Sequence, residues 1–175
     1  LDTESNVRRV FGSTIADLHS SVPSPKVDVV GRHLEQLGLG VNIQSVNGDV
    51  RTEAVLRTLL DADVVINGTD THCSRAVINV LASTYLLPVI DAGVRVSTKT
   101  DNRLCGLFAD IRILTPDTPC LWCRNIIDPD VIRAENLPED ERRKLQKEGY
   151  VVGGIGETVP SVAALTVLGS GLATC

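Results

Sequence analysis

Between residues 26 and 93 the apolar positions of the chain switch repeatedly between a helical and a strand-like period. Val27, Val30, Leu34 and Leu37 recur at helical spacing over 26–38, and Gly38 ends the segment. Val41, Ile43 and Val46 suggest a short strand. Val55, Leu56, Leu59 and Leu60 then form a helical stripe after Thr52-Glu53. The run Asp63-Val64-Val65-Ile66-Asn67 is short, β-branched and bounded by polar residues, which predicts a strand buried on both faces of a parallel sheet. A helix carrying Ala76, Val77, Val80 and Leu81 follows, then a second strand at Leu87-Pro88-Val89-Ile90-Asp91-Ala92-Gly93. This βαβα order implies parallel strands joined by right-handed crossovers.

After Gly93 the rhythm changes. Val94 and Val96, then Leu104, Gly106, Phe108, Ile111 and Ile113, read as strands joined by the polar turn Lys99-Thr100-Asp101-Asn102-Arg103. Residues 128–149 are charged, with Pro138-Glu139-Asp140-Glu141 opening a short helix that Gly149 closes. The pattern predicts an α/β fold: a Rossmann-like, mostly parallel sheet flanked by helices, with an antiparallel extension after residue 93. The 175 residues and 43% hydrophobic content suit one domain over 1–175.

Charge and composition remove some function classes. A net charge of −5 disfavours wholesale binding to nucleic acid phosphates, and 3% aromatic content disfavours base stacking. No methionine occurs, even at position 1, so the chain is expected to begin inside a longer polypeptide or after processing. From Thr158 to Cys175 no residue is charged. That length could cross a membrane, but Thr158, Ser161, Thr166, Ser170, Gly169 and Gly171 favour a buried helix packed through small residues.

Ligands of parallel α/β sheets bind beyond the carboxyl ends of the strands. Asp70, in Gly68-Thr69-Asp70 after the first buried strand, would stand there beside Thr69 and Thr71. A carboxylate at that edge is solvated, paired or bound to a hard cation, or it N-caps the helix starting near Ser74. The glycine-rich turn of a nucleotide site is not present. Gly153-Gly154-Ile155-Gly156 and Gly169-Ser170-Gly171 do not complete G-x-G-x-x-G, and neither follows a buried strand. Such a turn would lie upstream of Leu1, leaving the fold N-terminally incomplete.

Four motifs carry a resemblance. Ser5-Asn6-Val7-Arg8-Arg9, Pro25-Lys26-Val27, Gly68-Thr69-Asp70 with Arg75 and Asn79, and Pro119-Cys120-Leu121-Trp122-Cys123 occur in one order across nearly the whole chain. Together they resemble the ThiF/MoeB/HesA family, relatives of the ubiquitin-activating enzymes. The resemblance implies Mg-ATP-dependent adenylation of the C-terminal carboxylate of a ubiquitin-like protein or peptide, for sulfur transfer or conjugation. It also implies a cytoplasmic homodimer. Asn6, Arg9 and Lys26 would hold the polyphosphate, and Asp70 would bind Mg²⁺. Arg9 and Asp70 are thereby the catalytic pair. Forming an acyl adenylate needs such cations and a metal to offset charge as pyrophosphate leaves. The interval from Arg9 to Lys26 is a few residues longer than the family norm. Asp2 is left unassigned, because the family's ribose-binding acid lies further upstream. Without that acid and the glycine turn, the chain alone is expected to bind ATP poorly.

Cys120-x-x-Cys123 has half the spacing of a zinc site. Zinc completed by ligands beyond Cys175, free thiols and a local redox pair all remain open. Cys73 and Cys105 read as small core residues. No cysteine lies between Arg124 and Gly156, where thioester-forming members of the family place theirs, so a covalent protein thioester there is disfavoured. His19, His33 and His72 show no triad spacing. Two alternatives keep the same fold: a non-catalytic binding or dimerisation module, and an NAD- or FAD-binding redox domain.

Overall fold

The computed structural model describes residues 7, 10–19, 24–98, 104–148 and 170–171. Its contacts divide the chain into two units, Leu1–Asp49 and Val50–Cys175.

In the first unit a 3-10 turn at Ile15–Asp17 precedes helix α1 (Lys26–Gln36). The helix forms where the period predicts it, but its buried positions are Val29 and Gly31, while Val30, Leu34 and Leu37 are exposed. Gly31 decides the face. A Cβ there would stand 2.6 Å from Ser45 Oγ, so a larger residue would require that hydroxyl, which donates to the Val27 carbonyl at 3.2 Å, to move. The strand expected from Val41, Ile43 and Val46 does not form. No strand occurs among the described residues of this unit, and a segment without a ladder partner has no reason to extend. The unit is pinned by Asp17, buried at 4% exposure, which accepts from Arg32 Nη1 at 2.8 Å and Nη2 at 2.9 Å and from the Thr14 N–H at 2.7 Å.

The second unit contains helix α2 (Glu53–Leu59), strand β1 (Val65–Asn67), helix α3 (His72–Tyr85), strands β2 (Val89–Thr98) and β3 (Leu104–Leu114), and helices α4 (Pro129–Glu135) and α5 (Glu139–Lys147). The sheet order is β1-β2-β3; β1 pairs parallel with β2, and β3 antiparallel with it. This is the parallel-then-antiparallel arrangement expected from the sequence. The two segments read as separate strands around Gly93 are one continuous β2. Helix α4 was not anticipated from the apolar period; it is short, opened by Asp128, whose side chain accepts the Asp130 N–H, and by Pro129 in the first turn. Helix α5 carries Glu139, Asp140 and Glu141 in its first turn and Lys144 and Lys147 in its last, each end matching the helix dipole. The polar turn at 99–103, Gly149 and the uncharged segment up to Gly169 lie outside the described residues.

Cross-strand register sorts the sheet into rows with distinct chemistry. Val65, Val89 and Leu114 stand opposite one another, all buried, and pack with Ile78 and Leu81 of α3 and with Leu121. On the same face, two residues along, Asn67, Asp91 and Arg112 form the next row. The alternate row, Ile66, Ile90 and Ile113, faces the other way, with Ile66 57% and Ile113 56% exposed. Strand β1 is therefore buried on one face rather than two. Helix α3 supplies core contacts on that face, whereas Val64 and Ile66 remain open on the other.

Candidate functional site at the carboxyl end of β1

Strand β1 ends at Asn67, and Gly68-Thr69-Asp70 lead into α3. The N-cap of α3 is Thr71, whose Oγ1 accepts the Ser74 N–H at 3.2 Å. The next two donors, the N–H groups of His72 and Cys73, are taken by the Glu135 carboxylate at 2.9 and 2.7 Å. Asp70 consequently does not cap the helix. Its side chain is exposed at the strand end and makes no hydrogen bond or ion pair among the described residues.

Behind this loop lies a buried ionic row. The Asp91 carboxylate is completely buried and accepts from Asn67 Nδ2 at 2.7 Å and from Arg112 Nη1 at 3.1 Å. Arg75 Nε of α3 approaches it at 3.5 Å, close enough for ion pairing but too far for a hydrogen bond, and this nitrogen is buried with no hydrogen-bond partner. Arg112 also reaches Asp110 at 3.2 Å, so its charge is shared between two carboxylates. Two guanidiniums thus face one fully buried carboxylate. Removing all three from water is tolerable only because each charge is paired.

Gly93 follows Asp91 on the same face of β2, two residues beyond the last pairing with β1. A Cβ at Gly93 would meet Arg75 Nη2 at 2.7 Å. The Arg75 guanidinium therefore lies across bare backbone there. Moving along the helix-facing side of the sheet toward its carboxyl edge, the surface changes from aliphatic to ionic to bare glycine.

Of the residues singled out by sequence, Asn6 and Arg9 lie outside the described residues. Lys26 is the first residue of α1, exposed, in the first unit. Asp70 stands at the strand end, as expected from its position in the chain. Arg75 joins the ionic row. Asn79 is buried and acts structurally, because its Oδ1 accepts the Leu121 N–H at 2.8 Å and ties α3 to the turn that holds Cys120 and Cys123.

Cys120 Sγ and Cys123 Sγ are 3.4 Å apart. The Cys123 backbone N–H directed at the Cys120 sulfur lowers that thiol below its ordinary value. They border a cleft of about 370 Å³ beside Asn79, Ser83, Leu114 and Pro116. Among the described residues no group of three or more His, Cys, Asp or Glu side chains could hold a metal ion. Cys73 is buried, as expected; burial raises its thiol, and the Glu135 carboxylate adds to the effect. Cys105, expected in the core, is exposed; it is the extra residue on β3 where the register with β2 shifts between Ser97 and Thr98.

Asn67, Asp91, Arg112 and Glu135 were not anticipated as parts of this site. Asp91 left a trace in the sequence, a single acid closing the apolar run Leu87–Ile90 at a position that alternation places indoors. Glu135 left none, since its partners lie more than sixty residues away.

Among the described residues no helix is long and apolar enough to cross a membrane. Compared with known protein families, residues 3–171 match the model described as the ThiF family. A search of curated proteins returned no match.

Proposed function

The chain belongs to the ThiF family, and on that premise we propose that the protein adenylates the C-terminal carboxylate of a ubiquitin-like protein or peptide. The family's fold is that of the ubiquitin-activating-like adenylyltransferases, and its members generally bind ATP. In the proposed reaction a carboxylate oxygen attacks the α-phosphorus of ATP. An acyl–phosphate bond forms, the bond between the α- and β-phosphates breaks, and pyrophosphate leaves.

The observation that carries this reading is the state of Asp70. Helix capping, its other natural use, is performed by Thr71, and the Asp70 carboxylate is left exposed at the strand edge where ligands of such sheets bind. One hard oxygen donor fits Mg²⁺, which is commonly held by one or two carboxylates together with substrate phosphates. When bound, the ion supplies charge compensation for the departing pyrophosphate. Asn6, Arg9 and Lys26 serve as the phosphate-holding set in this reading, carried by the family motif.

The remaining assignments follow from the same premise. Cys120 and Cys123 would provide two thiolates of a structural zinc site, with the second pair supplied from outside the described residues. Acyl transfer goes to an external sulfur or amine nucleophile, since no cysteine lies between Arg124 and Gly156. The protein acts as a cytoplasmic homodimer, and the exposed isoleucine row of the sheet is apolar surface of the kind that association buries.

The test is ATP–pyrophosphate exchange by the full-length protein with and without a carboxyl-terminal peptide. Exchange that depends on the free carboxylate and vanishes with the C-terminal amide supports the reading. Absence of exchange under saturating Mg-ATP and peptide overturns it in favour of a non-catalytic module.

A further inference from the structure

The hydrogen bonds that hold the Gly68–Asp70 loop among the described residues both end on one atom, Asn67 Oδ1. It accepts the Thr69 N–H at 3.3 Å and the Thr69 Oγ1–H at 2.9 Å. The orientation of this amide is set by its neighbours. The fully buried Asp91 carboxylate, faced by two guanidiniums, presents acceptor oxygens, so the Asn67 nitrogen turns toward it and the Asn67 oxygen faces the loop. Arg112 and Arg75 hold Asp91 in place from β3 and α3. A Cβ at Gly68 would find open space, so nothing packs against the loop there. What orders the Thr69 peptide, which directly precedes Asp70, is therefore the sequence of contacts Asp91, Asn67, Thr69.

We propose that Thr69 is a positioning residue for the Asp70 carboxylate, and that it acts through Asn67 and the buried Asp91. The inference rests on the reading of Asp70 as a cation ligand and deepens it. Asp70 is held in place before the ion and nucleotide arrive, because the residue ahead of it is anchored to the Asn67 amide, which is itself bonded to the fully buried Asp91 carboxylate. Thr71 fixes the other side of Asp70 through the helix cap. Partners that orient a ligand without touching the ion govern affinity through geometry, and this pair has that arrangement.

The measurement is binding of Mn²⁺ with a non-hydrolysable ATP analogue to the full-length protein, read by water-proton relaxation. Thr69→Val removes the hydroxyl and retains the shape; it is expected to weaken the ternary complex roughly tenfold, the lower end for loss of such a partner. Thr69→Ser restores the hydroxyl and is expected to recover most of the affinity. Unchanged melting temperatures across the three proteins separate positioning from global destabilisation. Wild-type affinity in Thr69→Val, with binding abolished in Asp70→Asn, overturns the positioning role and leaves the proposed function intact. Wild-type affinity in Asp70→Asn overturns the cation-ligand reading itself, and this inference with it. A loss in Thr69→Val that Thr69→Ser fails to recover also overturns it, since the hydroxyl is then not the cause.

Discussion

Thr71 Oγ1 accepts the Ser74 N–H at 3.2 Å, and this leaves Asp70 one residue before the N-cap of helix α3. A single residue of offset separates a stabilising group from one available for chemistry. In the same few residues, then, stability and function are assigned to different side chains.

That division makes opposite predictions for two adjacent substitutions. Thr71→Ala removes the cap and is expected to cost about 0.5–2 kcal/mol of stability. Asp70→Ala is expected to leave the melting temperature nearly unchanged and to abolish pyrophosphate exchange in the full-length protein. Thermal melts and exchange rates on both variants check the pair; equal destabilisation by both would remove the distinction.

Asp91 has the reverse character. Asp91→Asn keeps the size but leaves Arg75 and Arg112 facing a neutral group, and loss of a buried ionic partner costs about 3–5 kcal/mol. Asp110 is half exposed and shares Arg112. Its replacement by Asn is expected to cost only about 0–1 kcal/mol, as for pairs near the surface. Urea denaturation midpoints of the two variants should differ in that order.

Asp17 predicts an acid-sensitive element in the first unit. The Arg32 guanidinium, first, and the Thr14 N–H hold its carboxyl well below the usual carboxylate range. A carboxyl depressed in the folded state stabilises it fully above the unfolded value, near 3.8. That contribution fades as pH falls from there toward the lower folded value. An acid titration followed by circular dichroism should lose a steep limb in Asp17→Asn, while behaviour near neutral pH shows the ordinary loss of the pair.

The cysteines are expected to separate by reactivity. After treatment with a chelator to free any zinc-bound thiols, iodoacetamide near neutral pH should label Cys120 ahead of Cys73, because the Cys123 N–H favours the Cys120 thiolate while burial and Glu135 oppose that of Cys73. Mass spectrometry of a brief labelling reaction reads the order directly. Faster labelling of Cys73 would mean that the packing of α3 on α4 opens readily.

By itself the sequence determined the order of elements from α2 to β3 and the place of Asp70 in it. Short β-branched runs, helical stripes and a late change of rhythm are local properties, and local patterns survive without knowledge of the partner. The same reading erred where a partner decides the outcome. Val30, Leu34 and Leu37 have helical spacing, yet the face of α1 that packs is set by Gly31 against Ser45. Val41, Ile43 and Val46 suggest a strand, but no neighbouring strand among the described residues takes their backbone groups, and Ile66 lies in a buried-looking run with its own face left open. Tertiary structure alone decided the site's supporting set. Asn67 meets Asp91 across 24 positions and Glu135 meets His72 across 63, and no period in a linear chain encodes which distant charge a carboxylate will answer. Pairing energies of buried polar groups depend on desolvation and geometry, which exist only after the chain has closed on itself.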